Sequence, residues 1–91
     1  MESESNLETF RGRIDRIDEE LMRLLAERFG LTNQIGRYKK AQQLNAVDEE
    51  REQQQLARIR QLAVEVGINP GFAVKLLRGI IDEVVRSHKN L

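Results

Sequence analysis

Two cations, Arg28 and Lys39, stand where they could bind an anionic ligand. The apolar residues on either side of Arg28 recur in alternating steps of three and four, so an α-helix would turn Arg28 inward among them. Lys39 follows three helical turns later and returns to the same face. An unpaired inward charge is costly, and two interpretations are open. In the first, Arg28 reaches solvent or pairs with Glu27 or Glu52. In the second, Arg28 and Lys39 together bind a ligand with two anionic groups, since a planar guanidinium suits a carboxylate.

A second polar group begins at Asp48. Asp48, Arg51, Glu52 and Gln55 follow the i, i+3, i+4, i+7 spacing that places residues on one face of a helix. Taken alone, the segment is most simply a solvated charged face. Arg51 and Glu52 gain interest because a helix N-terminus attracts anions.

The only histidine, His88, continues an apolar stripe through Ile81 and Val84. A single histidine in a chain without cysteine makes a metal site improbable, and no serine-triad context surrounds it. Two interpretations remain: a polar group that faces the interior of a bundle, or a histidine in a frayed last turn.

The composition narrows the class of protein. The chain has 91 residues, 40% of them hydrophobic, which fits one small domain that is marginal as a monomer. The 15 basic and 15 acidic residues balance, which argues against a nucleic-acid or anionic-membrane binder. The chain has no cysteine, and it has no apolar run near the ~18 residues of a membrane span. Residues 1–6 do not resemble a signal peptide, so we expect a cytoplasmic protein.

The pattern predicts an all-α fold with three helices, at about residues 7–40, 49–66 and 70–89, in a single domain over residues 1–91. Asp48 is a good N-cap for the second helix, and Gly67 is well placed as its C-terminal stop. The first helix carries a heptad seam that favours packing against another long helix. The seam consists of Leu7, Phe10, Ile14, Ile17, Leu21, Leu24, Arg28, Leu31, Ile35 and Tyr38.

The length of the first helix predicts a dimer. About 34 helical residues span ~50 Å, whereas a compact domain of this chain length has a radius of gyration of only ~12 Å. Two shorter helices cannot cover the whole seam. We therefore expect an intertwined homodimeric helical bundle, in which a second copy covers the rest of the seam.

Three segments resemble the small all-helical chorismate mutases. The stretch Leu7–Lys39 is similar to their first helix, Asp48-Glu49-Glu50-Arg51-Glu52 to their second-helix motif, and Ile80-Ile81-Asp82-Glu83 to part of their third helix. The resemblance covers the chain from Leu7 to His88, and the order and spacing of the motifs make it specific. It implies the conversion of chorismate to prephenate, an early step toward phenylalanine and tyrosine, by two interwoven chains with two equivalent sites.

The resemblance also implies roles for the cations. Arg28 would hold one substrate carboxylate, and Arg11 would reach the second from the other chain. Lys39 would donate to the ether oxygen and a carboxylate. The rearrangement is intramolecular, so no cofactor or metal is expected, and catalysis would come from restricting the substrate's conformation and stabilising negative charge on the ether oxygen.

Among the remaining residues of the implied site, some match the family pattern and two differ from it. Glu52, with the backbone near Asp48, would accept a hydrogen bond from the ring hydroxyl, and Arg51 would support that loop and the substrate side. Val84 stands where many members have serine, which removes a polar contact. His88 stands where many have glutamine or glutamate, which keeps a polar group beside the ether oxygen but makes it titratable.

Two rival functions remain open from the sequence. An isochorismate-pyruvate lyase shares the fold and much of the basic site, although the intact segment from Asp48 to Glu52 favours the mutase. A non-catalytic helical dimerisation module would leave Arg28 and Lys39 without a ligand. Whether another shikimate-pathway enzyme binds the chain is not fixed by its sequence.

Overall fold

The computed structural model describes the backbone of residues 2–89 and the side chains of residues 6–89. Within these residues the fold is all-α and has no strand. Three helices follow one another: α1 (Glu2–Ala41), α2 (Glu49–Val66) and α3 (Pro70–His88). The predicted fold class of three helices, one of them very long, is therefore confirmed.

The helix bounds differ from the sequence prediction mainly at the start of α1. This helix begins at Glu2, so the predicted start at Leu7 is wrong. Residues 2–6 contain no glycine or proline, so nothing in the sequence stops the helix from extending toward the N-terminus. At the other end of the chain, α3 ends at His88 rather than at residue 89.

Side-chain caps set the start of α2 and of α3. The carboxylate Oδ1 of Asp48 accepts a hydrogen bond from the backbone N–H of Arg51 at 3.0 Å. The side-chain oxygen of Asn69 accepts one from the backbone N–H of Phe72, also at 3.0 Å, and Pro70 takes the first helical position, where a missing N–H costs nothing. These local bonds fix where each helix begins.

A left-handed glycine ends α2. Gly67 has φ +81°, a conformation that glycine adopts without steric cost. The backbone N–H of Ile68 then donates to the carbonyl oxygen of Ala63 at 2.8 Å, which satisfies one of the free carbonyls of the last turn. The chain turns here and enters α3.

The chain divides into two compact units, Met1–Leu31 and Thr32–Leu91. In the second unit α2 packs against α3. The core of this unit consists of Ala63 from α2 and Ala73, Leu77 and Ile81 from α3. Two of these four residues are alanines, and such small side chains allow helices to approach closely.

The first unit presents its apolar seam to the surface. Ile17 is 62% exposed and Leu24 is 63% exposed, and none of the described side chains of this unit is buried. The other exposed seam residues of this unit are Leu7, Phe10, Ile14, Leu21 and Leu31. These residues form an apolar stripe that is exposed along the helix.

Among the described residues, none of the helices contains a stretch that is both long enough and apolar enough to cross a bilayer.

Candidate active site

Lys39 and His88 line one cavity in the second unit. Its volume is about 240 Å³. Both side chains are half-buried, Lys39 near the end of α1 and His88 at the end of α3. The other lining residues are Gly36, Lys40, Leu44 and Ala46. Two residues that the sequence analysis selected separately are thus brought to one cavity.

The imidazole of His88 is tied to α1. Its Nε2 lies 2.8 Å from the carbonyl oxygen of Thr32. A carbonyl can only accept, so Nε2 carries the hydrogen and donates. The Nδ1 atom is buried and has no hydrogen-bond partner among the described residues. The interpretation of His88 as a frayed terminal residue without contacts is therefore wrong.

Glu52 forms an ion pair that the sequence analysis missed. Its Oε1 lies 2.8 Å from Nη1 of Arg78, and the side chain of Glu52 is only 17% exposed. The same Arg78 nitrogen lies 3.9 Å from a carboxylate oxygen of Asp82, one helical turn later. The i, i+4 spacing could have indicated the contact with Asp82. No local pattern indicates the contact with Glu52, which is 26 residues away.

Glu52 also lines a second cavity, with a volume of about 330 Å³. The remaining lining residues are Val47, Asp82, Val85, Arg86 and Lys89. Neither cavity is lined by Val84, which is half-buried on α3. The neighbouring Val85 lies on the wall instead, because successive residues of a helix differ by about 100° in direction.

Asp48 and Arg51 are exposed at the start of α2. The carboxylate of Asp48 caps the helix through the Arg51 amide, and its carbonyl oxygen accepts the backbone N–H of Glu52 at 3.0 Å. Asp48 therefore fixes the first turn of α2 and with it the backbone position of Glu52. In this arrangement the side chains of Asp48 and Arg51 line neither of the two cavities.

Two predicted site residues belong to the first unit. Arg28 is half-buried. Arg11 is exposed, and its Nη1 lies 3.2 Å from a carboxylate oxygen of Glu8, one turn earlier on the same helix. An exposed pair of this kind contributes little to stability, so the guanidinium of Arg11 can exchange this partner for another anion.

A surface pair on α3 has shifted pKa values. The pKa of Glu83 is below its usual value because Arg86 donates hydrogen bonds to its carboxylate. The pKa of Arg86 is raised, with that hydrogen-bonded carboxylate as the main cause. Both groups are exposed, so solvent screens the pair and it adds little to stability.

The second unit offers two kinds of polar group to a small molecule. Lys39 and Lys40 supply positive charge at the first cavity. Glu52 supplies a hydrogen-bond acceptor at the second. Cations held on rigid helices can bind carboxylates and stabilise an oxygen that gains negative charge, and neither task requires a nucleophile.

Comparison with known protein families identifies the family of this chain. The family model described as chorismate mutase type II matches residues 10–89. No curated protein matches the chain significantly. The matched range includes α2, α3 and every site residue that the sequence analysis selected, from Arg11 to His88. The chain belongs to the chorismate mutase type II family.

Proposed function

We propose that this chain is a chorismate mutase, an isomerase that converts chorismate to prephenate. The observation that carries the proposal is the cavity shared by Lys39 and His88. These residues come from α1 and α3 and correspond to two positions that the family resemblance links to the ether oxygen of the substrate. Family membership over residues 10–89 supports the same assignment.

The proposed reaction matches the chemistry of these residues. In the rearrangement, the carbon–oxygen bond of the ether breaks as a carbon–carbon bond forms within the same molecule. No atom leaves, and no external acid, base or electron carrier is needed. The protein has to hold the reactive conformer and stabilise the negative charge that grows on the ether oxygen. A lysine ammonium can donate to that oxygen.

The proposed roles of the remaining residues follow the family resemblance. Arg28 binds one carboxylate of the substrate, and Arg11 of a second chain binds the other. Glu52 accepts a hydrogen bond from the ring hydroxyl, and the low exposure of its carboxylate suits this role. Asp48 and Arg51 support the start of α2, where the Asp48 cap fixes the first turn.

We propose a homodimer as the functional assembly. The apolar seam in the first unit includes Ile17 and Leu24, each more than half exposed. A second copy, laid along this seam, would remove it from water, which is the main driving force for association. Since each chain would lend Arg11 to the other's site, the dimer would contain two equivalent sites. We further propose that the enzyme acts in phenylalanine and tyrosine biosynthesis, in the cytoplasm.

An assay with purified substrates tests the activity. We expect the chain to consume chorismate and release prephenate, and to leave isochorismate unchanged. Release of pyruvate from isochorismate, without mutase activity, would support the lyase instead. No turnover of either substrate by the folded chain would favour a non-catalytic helical module.

A further inference from the structure

Arg78 connects α2 and α3 through Glu52. Its Nη1 donates to Oε1 of Glu52 at 2.8 Å. The carboxylate side chain is 17% exposed, whereas the arginine is 39% exposed. The less accessible partner is thus the acidic one.

The two partners differ in their relation to the second cavity. Glu52 and Asp82 both line it, whereas Arg78, which lies near both carboxylates, is not among the lining residues. The bond with Arg78 uses Oε1 of Glu52. The carboxylate keeps further acceptor capacity for a ligand, because each of its oxygens has two lone pairs. Arg78 holds the carboxylate without facing the cavity itself.

A held carboxylate binds a ligand better than a mobile one. A glutamate side chain has three rotatable bonds, and a ligand that fixes them loses part of its binding free energy. A guanidinium is planar and fixes the orientation of a carboxylate more closely than an ammonium can. An ionised carboxylate can only accept hydrogen bonds, which suits it to bind a hydroxyl.

We propose that Arg78 is a positioning residue for Glu52 and orients its carboxylate toward the ring hydroxyl of the substrate. This inference rests on the proposed mutase function. In this proposal, Arg78 affects substrate binding only through Glu52. The hydroxyl is present in the substrate and in the transition state, so the contact should act mainly on KM.

A double-mutant cycle on the intact chain tests the proposal. Arg78→Met should lower kcat/KM about tenfold, mostly through KM, since a hydrogen bond to a charged group is typically of that strength. Arg78→Lys should recover part of the loss. In a Glu52→Gln background, Arg78→Met should cause little further loss, because the two residues act as one unit. Arg60→Met removes an exposed guanidinium from α2 and should leave kcat/KM unchanged.

The outcomes separate this inference from the proposed function. Circular dichroism and thermal unfolding would verify that each variant is folded, and Arg78→Gln replaces Arg78→Met if the latter unfolds. An active wild type whose kcat/KM survives the loss of Arg78 would overturn the inference alone. So would equal losses in the wild-type and Glu52→Gln backgrounds. A folded wild type that does not convert chorismate would overturn the proposed function, and this inference with it.

Discussion

The imidazole Nε2 of His88 donates a hydrogen bond to the carbonyl oxygen of Thr32, at a distance of 2.8 Å. The two residues are 56 positions apart in the chain. This bond joins the last residue of α3 to the backbone of α1. His88 therefore orders a wall of the cavity that contains Lys39, whatever further contact it makes with a substrate.

The first prediction concerns the hydrogen bond of His88. Glutamine also offers an N–H at a similar reach, so His88→Gln should keep most of the activity. His88→Ala should lower kcat/KM by about fivefold or more, because it removes the side chain that orders this wall of the cavity; the lost bond should also cost ~1 kcal/mol of stability. Since the chain has a single histidine, nitrogen NMR can also identify its tautomer without assignment. A neutral ring with the hydrogen on Nδ1 would contradict the bond to Thr32.

The second prediction concerns the two cations. Arg28→Ala and Lys39→Ala should each reduce kcat/KM by about a hundredfold or more, Lys39 because it stabilises charge in the transition state and Arg28 because it holds a substrate carboxylate through charge-assisted hydrogen bonds. The fold should survive, because both residues lie outside the core of the second unit and alanine is a good helix former. Steady-state kinetics measures the activity of each variant, and circular dichroism measures whether it is folded. Lys75→Ala, at an exposed position on α3, is the control. Wild-type turnover in both variants would show that the proposed site is misplaced.

The third prediction is that Arg11 acts on the site of the partner chain. Arg11→Ala and Arg28→Ala should each be inactive as homodimers. A heterodimer of the two would contain one site with both arginines. Random exchange of equal amounts should therefore restore about a quarter of the wild-type activity. Subunit exchange would be verified with differently tagged chains, and a mixture that stays inactive after exchange would exclude action in trans.

The fourth prediction concerns the exposed seam of the first unit. Leu24→Glu should weaken the dimer because it places a charge in the proposed apolar interface. Ala26→Glu introduces the same charge on the opposite side of the heptad and should leave the dimer intact. Sedimentation velocity at several concentrations measures the dimerisation of both variants. A wild type that is a stable folded monomer at micromolar concentration would contradict the dimer proposal.

The fifth prediction compares two glycines in the second unit. Gly67→Ala should destabilise the fold by about 1 kcal/mol, because alanine resists the left-handed conformation at φ +81°. Gly79→Ala should stabilise it by up to ~1 kcal/mol, since alanine is the better helix former and its Cβ would meet no atom within 4 Å. Urea unfolding of both variants measures the two changes in the free energy of unfolding. Equal shifts of the same sign would show that the conformation at Gly67 is not the cause.

Much of the fold follows from local signals in the sequence. Asp48, Gly67 and Asn69 each act on backbone groups within a few residues, so the ends of α2 and the start of α3 can be predicted without knowledge of the tertiary structure. The start of α1 could not be predicted in this way. Its first residues contain neither a helix breaker nor a strong apolar period, so the sequence does not distinguish a start at Leu7 from the observed one at Glu2.

The same distinction between local signals and tertiary contacts applies to the candidate site. The sequence by itself made Lys39, Glu52 and His88 candidates, through helical spacing and through the resemblance of their segments to a family. Only the tertiary structure decided that Glu52 pairs with Arg78 and that His88 donates to Thr32. Both contacts join residues on different helices, and their distances depend on how those helices pack. Helical periodicity fixes the direction of a side chain around its own axis, but it does not fix which neighbouring helix that side chain meets.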